Sequence, residues 1–248
     1  MTPNPSQTVR EIAIQNPATV RVFESLGIDY CCGGKRPLEE ACLRANLSLE
    51  RVLTLLASAN NTESEPADRS WAAASVDELA THIVDTHHQF VRSEAPRLIA
   101  LARKVAEKHG ANHPELTSIE EIFSAMADEL YAHMMKEERI LFPVLRQIEA
   151  AIITGGSGPA ACFETVQAPI ARMLADHDDA AELTTQIRKL SCDFQPPADA
   201  CPSFRGLYHG LEEFERDLHR HVHLENNILF PRAIELESSL REAARARV

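Results

Sequence analysis

The chain is poor in the residues on which β-rich folds depend, with nine glycines among 248 residues and 5% aromatic side chains. This shortage argues against a β-sandwich or a β-barrel. Positive charge is also scarce: Lys and Arg number 25 against 37 Asp and Glu, so the formal net charge is −12. Nucleic acids and anionic membranes are bound by clustered positive charge, and we therefore expect neither as a partner.

Long apolar runs are missing as well, since no stretch approaches the ~18 residues that a membrane-spanning helix needs. The opening residues, MTPNPSQTVR, lack the apolar core of a secretion signal, so we expect a cytoplasmic protein. None of the six cysteines forms a CxxC pair, which argues against an all-cysteine zinc site. In a reducing compartment we expect these cysteines to be thiols.

The segments that remain are helical in pattern. Residues 1–60 form a small helical unit that contains the turn-rich loop DYCCGGKRP, residues 61–74 form a polar linker, and residues 75–248 contain four long helical segments. Breaks with Gly or Pro at 109–114, 155–159 and 196–202 separate these four segments. Such short connections predict an all-α fold with an antiparallel, up-down four-helix bundle. Capping-box patterns at Ser75 and Ser118 predict two helix starts.

A repeated motif carries the chemistry. HMMKEERILFP, which begins at His133, and HVHLENNILFP, which begins at His221, share the pattern H-x3-E-x2-I-L-F-P and start 88 residues apart. The i, i+4 spacing places each histidine on the same helical face as Glu137 or Glu225, with Cβ atoms ~6 Å apart. Each pair could therefore bind one metal ion, or two neighbouring ions.

The other two long segments supply further histidines at the same height. His88, His133, His177 and His221 are spaced by 45, 44 and 44 residues, and the midpoints between them fall in the three predicted turns. Residues equidistant from a turn lie level in an antiparallel bundle, so the four imidazoles should form one layer. His87 is the alternative to His88, because adjacent helical residues point ~100° apart and only one of them should reach the interior.

Ligand number and type indicate the metal. Without a metal, buried ring nitrogens would remain unsatisfied at a cost of ~1–3 kcal/mol each. Six donors exceed what a single tetrahedral zinc ion takes. They suit two non-haem iron ions that share both carboxylates and an oxo or hydroxo bridge, with about two coordination positions left labile. Other residues are expected elsewhere: His109 and His113 in the first turn, His219 and His223 at the surface, and Glu129 either beside the ligands or in solvent.

The loop Tyr30-Cys31-Cys32-Gly33-Gly34-Lys35, together with the two repeated motifs, closely resembles the repair of iron centres family, also called the ScdA/YtfE/DnrN family. The resemblance covers nearly the whole chain. It implies an N-terminal ScdA-type domain, a haemerythrin-like bundle with a di-iron centre, and a role in restoring iron–sulfur clusters damaged by nitric oxide or peroxide. A homodimer is consistent with it. The family alignment favours His88 over His87 and gives as ligands His88, His133, Glu137, His177, His221 and Glu225.

The vicinal pair Cys31 and Cys32 has two interpretations. A vicinal disulfide is strained, so two thiols are expected, and Lys35 could lower the pKa of one of them. The pair would then be a redox or iron-transfer site that docks a partner or the bundle. The alternative is a turn at a helix end that buries two small side chains.

Four functions compete at this point. The first is a repair factor that supplies labile iron to damaged iron–sulfur proteins, and it is favoured over an enzyme. The second is an oxidoreductase that reduces nitric oxide at the open coordination positions. The third is a haemerythrin-like sensor that binds O2 or NO, which is disfavoured because ordinary haemerythrins lack the CCGG domain and use five histidines. The fourth is a structural bundle without a metal.

Overall fold

The computed structural model describes residues 3–59, 71–156, 158–159 and 163–245. Within these ranges, extended pairing is limited to one bridge between Thr8 and Pro37, and the predicted all-α class is confirmed. The chain divides into two compact units, Met1–Leu79 with His219–Glu235, and Ala80–Leu218 with Leu236–Val248. Most of the predicted linker, 61–74, lies outside the described residues, and the predicted domain boundaries stay a prediction.

The first unit begins with four short helices: α1 (Val9–Gln15), α2 (Thr19–Leu26), α3 (Leu38–Arg44) and α4 (Leu49–Ala59). Thr8 and Glu11 form a capping box at the start of α1, and Gly27 ends α2 in the left-handed region with φ 65°. The apolar faces meet in a core that includes Phe23, Tyr30, Leu38, Val52 and Leu56. Helices this short are marginal alone, so their stability comes from that shared core.

Seven further α-helices follow in the described part of the chain, and π-helical segments join three pairs of them. They are α5 (Val76–His82), α6 (Gln89–His109), α7 (Glu115–Lys136), α8 (Phe142–Thr154), α9 (Gln167–Leu190), α10 (Pro202–Leu224) and α11 (Phe230–Arg245). The π-helical segments are Ile83–His88, Glu137–Leu141 and Glu225–Leu229. Each joins two α-helices without a turn, so the four predicted long segments are present.

The second unit is built from long helices that pack on one another. Helix α6 packs against α7, and α7 packs against α9. Phe214 of α10 contacts Phe90 and Phe123, with ring centroids 6.0 and 5.0 Å away. Among the described residues, no helix is both long and apolar enough to cross a membrane.

The predicted helix starts have different outcomes. At Ser75 the capping box is present, with the Glu78 N–H donating to Oγ over 3.0 Å and the Ser75 N–H donating to the Glu78 carboxylate over 2.9 Å. At Ser118 the prediction is wrong, because α7 already begins at Glu115. Pro114, with its fixed φ of −63°, starts the helix one turn earlier.

The predicted connections also differ in detail. The first lies where the sequence places it, between His109 and Glu115, and the second lies partly outside the described residues. The third connection begins earlier than expected, because α9 ends at Leu190. Cys192, Asp193 and Phe194 all adopt positive φ there, and no Gly or Pro marks this reversal in the sequence.

Candidate metal centre

The π-helical segments lie at three of the predicted ligands. His88 ends one segment, while Glu137 and Glu225 begin the other two. The Glu137 carbonyl accepts from the N–H of Phe142, five residues later, and the Glu225 carbonyl accepts in the same way from Phe230. A wide turn of this kind is frequent at functional sites, because it changes the direction of a side chain without breaking the helix.

The repeated proline explains why the wide turn persists. Pro143 and Pro231 stand directly after Phe142 and Phe230. Proline has no N–H and its ring clashes with the carbonyl four residues earlier, so an ordinary α-helical hydrogen bond cannot form there. In both repeats that carbonyl belongs to the π-helical segment.

Glu137 divides its two carboxylate oxygens between two histidines. Its Oε1 lies 3.3 Å from Nε2 of His133, and its Oε2 lies 3.4 Å from Nε2 of His88. The side chain is 0% exposed. A carboxylate whose oxygens face different nitrogen donors has the geometry of a bridge between two cations.

His177 and the second repeat add the remaining donors. Nε2 of His177 lies 3.0 Å from Nε2 of His133, which is the separation of neighbouring ligands on one ion with bonds of ~2.1 Å. In the second repeat, Nε2 of His221 lies 3.0 Å from Oε1 of Glu225, which is also 0% exposed. The i, i+4 pairing expected from the sequence is therefore present in both repeats.

Six side chains form two overlapping groups of possible ligands. One group is His88, Glu137, His221 and Glu225, the other is His133, Glu137, His177 and Glu225, and within each the ligand atoms all lie within 4.8 Å of one another. Both carboxylates belong to both groups, while each group has two histidines of its own. Two adjacent cations that shared two carboxylates would need donors arranged in this way. Neutral imidazoles and carboxylates are donors that suit iron, so the residues present fit such a metal pair.

Acidic residues hold two of the imidazole rings by their other nitrogen. Nδ1 of His88 lies 2.6 Å from the Glu138 carboxylate, which also accepts from Arg92 over 2.7 Å. Burial alone would raise the pKa of Glu138, but the hydrogen bonds from His88 and Arg92 outweigh it and lower this pKa. Because Nδ1 is engaged in this way, Nε2 is the nitrogen that faces Glu137.

Asp176 acts in the same way on His133. Its Oδ2 lies 3.4 Å from Nδ1 of His133 and 3.0 Å from Nζ of Lys136. Burial opposes the shift, but the hydrogen bonds from Lys136 and His133 lower the pKa of Asp176. The only sequence signal for Glu138 and Asp176 is their position directly beside a predicted ligand, which does not tell which way they face.

The structure separates the remaining histidines from the two ligand groups. His87 is buried, and its Nδ1 lies 2.9 Å from Asp217, so His88 is the one that faces Glu137. Nε2 of His109 lies 3.2 Å from Sγ of Cys201, and Nε2 of His113 lies 3.1 Å from Oδ2 of Asp199.

Two expectations about exposure have opposite outcomes. The prediction of a surface position is wrong for His223, which is buried with its Nδ1 2.9 Å from Nδ2 of Asn227. Burial lowers the pKa of His223 to about 4, although a hydrogen bond with the Tyr30 backbone opposes the shift, so the ring is neutral at pH 7. His219 is half-buried. Glu129 is exposed, which was one of its two expected positions.

The CCGG loop is organised around Asp29. Its carboxylate accepts from the N–H groups of Cys31, Cys32 and Gly33 over 3.1, 3.0 and 2.8 Å. At Gly34 a Cβ atom would lie 2.5 Å from the Tyr30 carbonyl oxygen, so only glycine fits. The loop is therefore a fixed turn rather than an extended strap.

The two thiols of this loop differ in exposure. Cys31 is buried and Cys32 is half-buried, with their Sγ atoms 3.9 Å apart. A hydrogen bond with Cys32, together with burial and the nearby charge of Asp29, raises the pKa of Cys31 well above the usual value of a thiol. The expectation that Lys35 lowers a thiol pKa is thus wrong for Cys31, because Lys35 is exposed while Cys31 is buried beside a carboxylate.

Comparisons with known proteins agree with this architecture. Residues 79–233 match the family model described as the Hemerythrin HHE cation binding domain, and residues 5–60 match the ScdA_N model, described as a domain of unknown function. The chain is 36% identical over 228 residues to the iron-sulfur cluster repair protein YtfE of Enterobacter sp. (strain 638), which covers 92% of this chain and 96% of that protein.

Two further relatives are similar over the same extent. The YtfE protein of Edwardsiella ictaluri (strain 93-146) is 39% identical, with 90% of this chain and 95% of that protein covered. A probable iron-sulfur cluster repair protein of Haemophilus influenzae (strain ATCC 51907 / DSM 11121 / KW20 / Rd) is 36% identical, with 92% and 96% covered. With both domain models matched and relatives of this identity along most of its length, the chain belongs to the repair of iron centres family, in which a ScdA_N domain precedes a hemerythrin HHE domain.

Proposed function

We propose that this protein repairs iron–sulfur clusters damaged by nitrosative or oxidative stress, and that it supplies the iron from its two-cation centre. The observation that carries the proposal is the sharing of Glu137 and Glu225 by both candidate ligand groups, since it supports two adjacent iron positions rather than one. The printed names of the relatives support the repair role. The partners we propose are damaged iron–sulfur proteins in the cytoplasm, with NO or O2 as small ligands and a homodimer as the assembly.

The donor count supports release of the iron. Two six-coordinate ions offer about twelve positions, of which four imidazoles and two bridging carboxylates fill roughly eight. An oxo or hydroxo bridge would fill two more, and the rest remain for water or small ligands. Because the protein does not saturate the ions, a competing ligand can bind before the protein ligands dissociate. A centre of this kind is therefore better suited to releasing iron than a closed structural site, in which the protein ligands saturate the metal.

Cys32 is the residue we assign to the transfer of iron out of the chain. It is half-buried, whereas Cys31 is buried with a raised pKa and keeps its proton at neutral pH. The Cys32 side chain would bind the departing ferrous ion through its sulfur. Replacing both cysteines by serine should then abolish repair while iron content remains, and Cys192→Ser is the matched control. Unchanged repair activity of the double variant would reject this role.

The assignment of the iron ligands is tested by iron quantitation and Mössbauer spectroscopy on the unaltered protein and on Glu137→Leu. The unaltered protein should contain two coupled iron ions. The variant lacks one shared carboxylate and should lose both iron and coupling. Two coupled ions in Glu137→Leu would contradict the assignment.

The supply of iron is tested by mixing the iron-loaded protein with an iron–sulfur enzyme whose [4Fe–4S] cluster has been damaged by nitric oxide. Enzyme activity should return, and a weak iron chelator should compete with the recovery. Nitrous oxide formed over many turnovers with an electron donor would favour an NO-reducing oxidoreductase instead. A strictly stoichiometric reaction with NO would count against that alternative.

A further inference from the structure

The side chain of Asn227 links the CCGG loop to the helix that carries the second repeat. Its Nδ2 donates to the carbonyl oxygen of Tyr30 over 3.0 Å, lies 3.3 Å from the carbonyl oxygen of Cys31, and lies 2.9 Å from Nδ1 of His223. The residue is 7% exposed. An amide nitrogen has two N–H donors for these three acceptors, so one donor is shared. Together the contacts fix the backbone that positions both cysteines.

Two neighbouring contacts hold the same loop on the same helix. The Tyr30 ring stands edge-on to the His223 ring, with centroids 5.3 Å apart. Its hydroxyl donates to Glu24 over 2.9 Å, and Glu24 accepts from Arg220 over 2.8 and 2.9 Å. Residues 220, 223 and 227 are spaced by three and four, so they form one face of the helix.

The metal ligands of this helix are interleaved with that face. His221 and Glu225 lie between its members in sequence, and Asn227 is two residues after Glu225 inside the same π-helical segment. Both residues lie in one π-helical turn, so a shift of the Glu225 backbone also moves Asn227.

The first repeat provides an internal comparison. Met135 and Arg139 occupy the positions of His223 and Asn227 in that repeat, and both are exposed. The shared motif therefore requires only the ligands and the ILFP end. The buried His223 and Asn227 are specific to the repeat on which the loop packs, so the iron site alone does not explain them.

We propose that Asn227 is a positioning residue that couples cation binding at Glu225 to the accessibility of the Cys32 thiol. This inference rests on the proposed function, which assigns Glu225 as an iron ligand and Cys32 as the transfer thiol. If Glu225 held a cation, the π-helical segment would be fixed. Asn227 would pass that constraint to the Tyr30 and Cys31 carbonyls, and the exposure of the Cys32 side chain would change. A coupling of this kind typically amounts to roughly fivefold or more.

The test measures alkylation by iodoacetamide, in which a thiolate displaces iodide from carbon, followed by mass spectrometry of each cysteine. The full-length protein is labelled under nitrogen with and without ferrous iron, and the exposed Cys192 is the internal reference. Iron should change the Cys32 rate by roughly fivefold or more and leave the Cys192 rate unchanged. Neither Asn227→Leu nor the isosteric Asn227→Asp can donate to the two carbonyls. In both variants the ratio of the Cys32 alkylation rates with and without iron should fall to near one. Arg139→Leu, the equivalent change in the first repeat, should keep the full effect.

Iron content and circular dichroism are measured on every variant, so the outcomes can be told apart. If Cys32 alkylation is indifferent to iron in a protein that holds two ions, the coupling is overturned and the iron site stands. If the iron effect persists in both Asn227 variants, iron acts on the thiol directly and Asn227 has no positioning role. If the unaltered protein binds no iron, the coupling and the proposed function both fail.

Discussion

At the scale of single residues, the carboxylates behind the imidazoles decide which nitrogen each ring offers. Glu138 engages Nδ1 of His88 and Asp176 engages Nδ1 of His133, and each is itself held by a cation, Arg92 or Lys136. Partners of this kind orient a ligand before the metal arrives. They are thus as much a part of the affinity as the ligands are.

Removing one such partner should weaken iron binding without removing a ligand. For Glu138→Ala we expect iron affinity to fall roughly 10- to 100-fold, measured by competition with a chelator of known affinity. Glu121→Ala, which removes an exposed carboxylate from the same long helix, is the control. Equal affinities of the two variants would show that Glu138 does not orient His88.

Cys201 should be an unusually reactive thiol for a reason unrelated to iron. The backbone N–H of Phe204 lowers its pKa, and the N–H of Ser203 and the charge of Lys108 add to the effect while burial opposes it. A lower pKa means more thiolate at neutral pH. Alkylation of Cys201 should therefore reach its half-maximal rate at a lower pH than an ordinary thiol does.

The pH profile is read by mass spectrometry of Cys201 after brief exposure to iodoacetamide. Lys108→Gln should move that profile to higher pH, because it removes one of the stabilising charges. The backbone N–H groups remain in this variant, so the shift should be partial. If Lys108→Gln left the pH profile unchanged, the charge of Lys108 would be excluded as a cause of the lowered Cys201 pKa.

Sequence reasoning identified the candidate ligands at this scale but not their neighbours. His133 and Glu137 recur as a repeat, and the level of all four histidines follows from where the chain turns. The partners of those ligands are single residues without periodicity. The surface position expected for His223 failed because helical spacing says which face a residue is on, not what covers that face.

At the scale of elements, the π-helical segments explain how a straight helical repeat becomes a metal site. The sequence pattern H-x3-E predicts side chains on a common face, but it does not predict the wide turn at Glu137 or Glu225. The ILFP ending carries that information, because Pro143 and Pro231 cannot donate the α-helical hydrogen bond. Periodicity alone treats this proline as a helix break, whereas the structure continues through it.

Replacing Pro143 by Ala should therefore reduce iron affinity. The restored N–H would favour regular α-helical bonding and turn Glu137 away from His88 and His133. Chelator competition measures the loss, and circular dichroism should show that helix content is retained or increased. Pro96→Ala is the matched control, since Pro96 lies inside α6 without a π-helical segment and its removal should leave iron affinity unchanged.

At the scale of the whole molecule, the ligands come from segments far apart in the chain. His88 and Glu225 are separated by more than half of the sequence, so no local sequence pattern relates them. The common level of the four histidines along the bundle was predictable, because the positions of the turns determine which residues of neighbouring helices lie side by side. The packing of the CCGG loop on the second repeat was not predictable, because it depends on single contacts, such as that of the buried Asn227 amide, and not on a pattern.

Binding of iron should accordingly stabilise the entire fold. At a free ferrous concentration 100 times the dissociation constant, linkage gives about 2.7 kcal/mol. For a protein of this size that corresponds to roughly 5–10 °C in the thermal midpoint, measured anaerobically by calorimetry. The double variant Glu137→Leu, Glu225→Leu should show no such shift, and a chelator should return the loaded protein to its metal-free midpoint.

If the centre supplies iron as proposed, the shared carboxylates also bear on how many ions leave it. Glu137 and Glu225 together carry two negative charges in a site without solvent exposure. One divalent ion would neutralise them, whereas a pair of ferrous ions, even with a hydroxo bridge, would leave a net positive charge where water cannot screen it. The first ion should then depart readily and the second should remain. Each protein molecule would deliver a single ion per cycle and return half-loaded, with its ligand layer still assembled for refilling.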